Sequence, residues 1–131
     1  MGSFSDYWEN KILDHIFGKG NYTPPTIYVG LSTADPTDAG PGLTEPNGNG
    51  YTRVQTFASD WSAAANGTLD NAGNITFTQA TGNWGTITHF ALFDAATAGN
   101  MLAHGELSQS KSISESDTAR FEAGDLNISL D

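Results

Sequence analysis

The chain has 131 residues, 15 acidic against 5 basic side chains, a formal charge of -10 and no cysteine. That length supports a single domain over 1–131 with a core of its own, the charge repels phosphate backbones and argues against nucleic acid as a partner, and the missing thiols exclude disulfides and thiolate metal sites. No window approaches the roughly 18 apolar residues of a membrane span, and the first residues lack the basic-then-apolar order of a secretory signal, so a soluble protein with no membrane partner is expected.

Residues 3–17 read as an amphipathic helix. Phe4, Trp8, Ile12 and Ile16 recur at every fourth position, Leu13 and Phe17 widen the stripe, and Asp6, Glu9, Asn10 and Asp14 face away. Ser3 or Ser5 can cap its start and Gly18 its end. As the one segment with a convincing helical period, it must lay its aromatic face on the open end of its own domain or on a partner.

Strand patterns fill the rest, 26–131. In Thr26–Ser32, Ile27, Val29 and Leu31 share a face. Residues 34–50 hold most of the turn-forming residues, and an irregular segment of that length is either a contact surface or a solvated connection across the top of the fold. Tyr51–Gln55 is a short strand, Asp70–Asn74 a turn, and Ile75–Phe77 a strand. The most informative stretch runs from Trp84 to Phe93: Ile87, His89, Ala91 and Phe93 alternate with Thr86, Thr88, Phe90 and Leu92, which suits a central strand between packed layers. A turn at Asp94–Asn100 leads into Met101–Leu107 as a hairpin, and Lys111–Ser114, Thr118–Phe121 and Leu126–Leu130 complete the set. Seven to nine short antiparallel strands at this spacing, with one N-terminal amphipathic helix, define an all-β sandwich or jelly roll.

Reactive constellations are sparse. His89 and His104 could face each other across the hairpin and, with Asp94 or Glu106, form an acid-base or metal cluster, but a half-buried histidine bonded to a cross-strand neighbour is the commoner outcome. Asp35, Asp38 and Glu45 in one loop, and Asp70, Asn71 and Asn74 in another, offer hard oxygen ligands, yet neither fits the twelve-residue calcium loop, and these are also the usual turn residues. No glycine pattern cradles a phosphate. Trp61, Trp84, Tyr22, Tyr28 and Tyr51 could stack on sugars, though they suit core packing better. The expectation is a protein without catalytic residues, metal or cofactor.

The order Ile27-Tyr-Val-Gly-Leu-Ser-Thr-Ala-Asp35-Pro-Thr-Asp38-Ala-Gly40, then Gly50-Tyr-Thr-Arg53, Ile75-Thr-Phe77, Trp84-Gly-Thr-Ile-Thr-His-Phe-Ala-Leu-Phe93-Asp-Ala95 and Gly124-Asp-Leu126, resembles a set of small structural proteins of tailed bacteriophages. Members are variously head decoration or cement proteins and tail-fibre-like proteins, and the family implies no catalytic residues. The resemblance implies a virion component, made in the host cytoplasm and carried on the outer surface of the particle. The short chain shows no long repeat or stalk, which tilts the reading toward a capsid cement that binds the major capsid protein as a homotrimer at three-fold positions. A tail or tail-fibre module that binds a host surface, and a carbohydrate-binding sandwich, are the alternatives. The partner surfaces expected on this basis are Phe4, Tyr7 and Trp8 in the N-terminal segment and Asp35, Asp38, Leu43 and Glu45 in the 34–50 loop.

Overall fold

The computed structural model describes residues 2–130; Met1 and Asp131, the ends of the expected 1–131 span, lie outside the described residues. In chain order the elements are β1 (Gly2–Phe4), α1 (Asp6–Ile16), β2 (Tyr28–Ser32), β3 (Val54–Gln55), a 3-10 turn at Ala58–Asp60, β4 (Thr68–Asp70), β5 (Ile75–Thr76), β6 (Gly85–Phe93), β7 (Met101–Ile113), β8 (Arg120–Phe121) and β9 (Asn127–Ser129). The fold is all-β and sandwich-like, with one N-terminal helix. Seven strands form a sheet in the order β3-β2-β6-β7-β1-β9-β4, and β5 pairs with β8 as a separate ribbon. All pairs are antiparallel except β1 with β9, which run parallel. That exception corrects the all-antiparallel expectation: the N-terminal segment slots between β7 and β9 instead of joining the helix.

β6 is the central strand its pattern predicts. Phe90 and Leu92 point to one face, where they meet Val29 and Leu31 of β2 and Ala103 of β7. The β5-β8 ribbon and its flanks close over this face through edge-on aromatic contacts, with Phe121 6.3 Å from Phe90 and 6.2 Å from Phe77, and Phe77 6.5 Å from Trp84. Buried Asn71 pins the ribbon to the sheet: its carbonyl accepts from the Leu126 N–H, and its amide donates to the carbonyls of Gly73 and Glu122. A buried amide with three partners fixes one arrangement of the chain.

Two boundaries depart from the sequence reading. Residues 3 and 4 belong to β1, because Phe4 pairs with Ala103 in the ladder, and the helix starts only after Ser5, whose side chain accepts from the Trp8 N–H. The Phe4-to-Trp8 spacing mimics a helical period because the two rings meet across the cap, 4.3 Å apart. The separate strands expected at 101–107 and 111–114 fuse into β7, with a large bulge: Thr88 alone lies between the pairs Ile87↔Lys111 and His89↔Glu106, opposite Leu107–Ser110. Finally, residues 56–65 tie the two sheet edges together. Trp61 Nε1 donates to Thr56 Oγ1 beside β3, while the N–H groups of Ser62 and Ala65 donate to carbonyls of Asp70 and Thr68 in β4. The sheet is therefore curled, and Ile27 before β2 and Leu69 of β4 line one groove.

Candidate functional site

The residues singled out from sequence fall into two places on the surface, joined by the start of α1. Tyr7, Asp38, Leu43 and Glu45 line a cleft of about 650 Å³ together with Arg53, Phe93 and Asn100. Phe4 and Trp8 line a separate groove of about 370 Å³ with Trp61, Leu69, Ile128 and Leu130. Asp35 belongs to neither.

The 34–50 loop builds the cleft by lying across the outer face of the sheet. Ser32 anchors it: its hydroxyl donates to the Ala34 carbonyl and accepts from the Thr44 N–H, while the Thr33 N–H donates to the Thr44 carbonyl. One sheet histidine then bonds a loop carboxylate and a second lies near another. His104 Nε2 lies 2.8 Å from Asp38 Oδ1, and His89 Nε2 lies 4.0 Å from Asp35 Oδ1 while its Nδ1 contacts Thr88 Oγ1. The two histidines do not pair with each other, because the register sets His89 opposite Glu106 and His104 opposite Ala91. A loop that could have projected as a contact surface is thus folded back onto its own sheet.

Arg53 forms the floor of the cleft. Its Nε and Nη2 donate to the two carboxylate oxygens of Glu45 at 3.0 and 2.6 Å, its Nη1 donates to the carbonyls of Ala95 and Ala98 at 2.8 Å, and its plane lies 3.4 Å from the centre of the Phe93 ring. Forked pairing combined with stacking on an aromatic face is what guanidinium does and ammonium cannot. The Tyr51 hydroxyl donates to Glu45 as well, at 2.6 Å, and accepts from the Leu31 N–H. Gly30 leaves space for this assembly, since a Cβ there would lie 2.8 Å from Phe93 and 2.9 Å from the Tyr51 oxygen. Arg53 was read from sequence only as part of a strand and of the Gly50-Tyr-Thr-Arg53 motif. Its signal was the count: with five basic residues in the chain, one placed within a β pattern has reason to be buried and paired.

Burial, and then the bond to Glu45, push the Tyr51 hydroxyl well above its ordinary value of 10. A raised folded value means that the stabilisation is complete below pH 10 and is lost as the pH climbs, because the unfolded chain then ionises this tyrosine while the folded chain holds its proton. The melting temperature is therefore expected to fall between about pH 10 and pH 11.5, with a shallower fall in Tyr51→Phe. Equal slopes in the two proteins would refute this assignment.

These bonds consume the groups that chemistry would need. Glu45 accepts from Arg53 and Tyr51, Asp70 from Ser62, Asp35 from the Thr37 N–H, Asp38 lies against His104 and Asn71 is spent on backbone, so five of the six oxygen-bearing side chains considered for calcium point at protein partners. Among the described residues no three His, Asp or Glu side chains come close enough together to hold a metal ion. Of the aromatic residues considered for sugar stacking, Trp84 is buried with its Nε1 donating to the Asn49 carbonyl, and Tyr51 lies within the Glu45 network. The groove at Phe4 and Trp8 is the opposite kind of surface, lined by apolar side chains with Thr68 its one polar residue.

An acidic, sandwich-like module with an internally bonded Arg53–Glu45 pair and an apolar groove left open has the character of a structural or attachment component. A family model described as Podophage GP4 fiber I protein gp80 matches residues 3–129, and the chain belongs to that family. It is thus a phage virion structural protein. No curated protein matches the chain.

Proposed function

We propose that this chain is a fibre component of a podophage tail, acting by attachment and not by catalysis. The match of residues 3–129 to a family described as a fibre protein carries the reading. The cleft supports it, since the Arg53 and Glu45 charges of its floor are saturated by internal partners. In this reading the module is made in the host cytoplasm and displayed on the outside of the particle. Copies associate as a homotrimer, and the Phe4–Trp8 segment with the rim around Asp38 and Leu43 meets other virion proteins. A capsid cement bound to the major capsid protein is the second reading, favoured by the short repeat-free sequence.

Copy number separates the two. Quantitative mass spectrometry of purified particles is expected to find few copies relative to the major capsid protein. A ratio near parity would move the chain to the head and sink the fibre assignment.

A further inference from the structure

Residues 2–22 form an arm that is joined to the rest of the domain through a hinge and completes a sheet built from residues far along the chain. Gly2, Ser3 and Phe4 pair with Gly105, His104 and Ala103 of β7 on one side, and Gly2 and Ser3 pair with Ile128 and Ser129 of β9 on the other. Without β1 the order β3-β2-β6-β7-β1-β9-β4 breaks in two. The start of α1 is seated by the Ser5 N–H on the Leu102 carbonyl, the Ser5 hydroxyl on the Met101 carbonyl and the Asp6 N–H on the Asp38 carbonyl. All of these partners lie beyond residue 27 in the chain.

The far half of the arm holds mainly to itself. No residue of α1 is buried, and the chain after it folds back on the helix, with the Lys19 N–H on the Asp14 carbonyl and the Tyr22 N–H on His15 Nδ1 at 3.2 Å. Next come Thr23, Pro24, Pro25 and Thr26, which belong to no helix or strand and make no backbone hydrogen bond, before the Thr56 N–H ties down the Ile27 carbonyl. Two consecutive prolines hold this stretch extended and carry no N–H, so it can change direction without breaking a backbone bond.

We infer that the arm is exchanged between copies of this chain, the β1 and α1 of one copy filling the slot between β7 and β9 of the next. A second copy is selected because the fit of this slot to this segment is the one the fold itself displays. The exchanged arm remakes the same ladder pairs, the same three bonds at the helix start and the same seat for Phe4 and Trp8 against the core. Closed and exchanged forms then differ in the hinge and in the entropy of association, which makes exchange of an identical element a low-cost route to oligomers. Concentration decides between them. A short tether holds an arm at its own slot with an effective concentration on the order of millimolar, so exchange sets in where copies are held together that densely, as in an assembled particle. The formal charge of -10 on each copy opposes the approach, and salt screens it. The exchange is independent of whether the module sits on the tail or on the head.

Disulfide mapping of the full chain tests the exchange, since the chain has no cysteine of its own. Ser3→Cys/Ser129→Cys puts one thiol on the arm and one on the slot, at positions paired across β1 and β9. Unlabelled and heavy-isotope chains are mixed under reduction at about millimolar concentration and raised salt, held to equilibrium, then oxidised, digested and mapped by mass. Links that join position 3 of an unlabelled chain to position 129 of a heavy one, or the reverse, are expected. Tenfold dilution before oxidation should lower their share about tenfold, as mass action requires of a weak dimer. Sedimentation velocity of the wild-type chain should show dimers or larger species over the same range. Should the variant lose the wild-type circular dichroism spectrum, Ser3→Cys/His104→Cys reads the same slot from its β7 side. Links confined to chains of one label at every concentration overturn the exchange and leave each arm on its own body. Wild-type association without mixed links overturns it as well, because the contact then lies on another surface.

Discussion

Arg53→Ala is expected to destabilise the protein by about 3–5 kcal/mol, the range for removing one partner of a buried, hydrogen-bonded ion pair. The side chain of Arg53 is 6 % exposed and that of Glu45 20 %, so this pair does not behave as a screened surface bridge. Truncation strands the Glu45 carboxylate, leaves the carbonyls of Ala95 and Ala98 without their donor, and uncovers the Phe93 ring. At this chain length the melting temperature should drop by about 10–20 °C. Arg53→Lys should recover only part of the loss, because an ammonium cannot bond both carboxylate oxygens in a fork while stacking on Phe93. Replacing both partners, as in Arg53→Met/Glu45→Leu, should cost less than Arg53→Ala alone, since no charge is left buried without a partner. Urea unfolding decides the matter: a loss under about 1 kcal/mol for Arg53→Ala would reduce the pair to a surface interaction.

How far the fold could be read from sequence follows from which interactions are local. Alternation in 86–93 is a local signal and located β6 correctly; the structure adds that Phe90 and Leu92 lie in the core cluster. The Ser5 cap and the Gly18 stop are local too, and both bracket α1 as observed. The failures are long-range. Phe4 is in a strand because Ala103, nearly a hundred residues away, supplies its ladder partner, and no pattern within residues 3–17 encodes that. The bulge at Leu107–Ser110 was hidden for a related reason. It splits an alternating pattern into two pieces that look like separate strands until β6 is laid beside them.

The candidate surfaces were legible in kind more than in arrangement. A 17-residue segment rich in Asp, Gly and Pro pointed to the 34–50 loop, and Asp38, Leu43 and Glu45 do line the cleft. Its inward folding depends on His104, placed by sheet register, and on Arg53 just before β3, so Asp38 and Glu45 proved to be fastenings as well as lining groups. The histidines were considered as a pair, and register separates them. The apolar groove was invisible beforehand because it is assembled from β1, α1, β4, β6 and β9 and from residues flanking β2 and β4, which are brought together only in the folded chain.

Gly105→Val should detach the N-terminal strand and helix and, because β1 joins β7 to β9, uncouple β9 and β4 from the β3-β2-β6-β7 part of the sheet. Gly105 of β7 pairs with Gly2 on one side and Phe90 on the other, and a Cβ on Gly105 would lie 2.7 Å from both the Gly2 Cα and the Phe90 ring. A Cβ on Gly2 would likewise lie 2.7 Å from Phe90. The two glycines thus form a slot for the Phe90 ring, which is 1 % exposed, and a valine there forces either the ring or β1 to move. β1 is the weaker party. Phe90 packs into the aromatic core against Phe121, whereas β1 is three residues long and holds β7 and β9 with few bonds. Its departure breaks the bonds from the Ser5 N–H to the Leu102 carbonyl and from the Ser5 hydroxyl to the Met101 carbonyl, which seat the helix cap on β7. A stability loss of at least about 3 kcal/mol is expected, the upper end of overpacking costs. Hydrogen exchange should show lost protection over residues 2–16 and over β9 and β4, which β1 joins to β7, with tryptophan emission shifted to the red. Protection retained over 2–16, together with a disturbed aromatic core, would mean that Phe90 yields instead, and that β1 is held more firmly than its length implies.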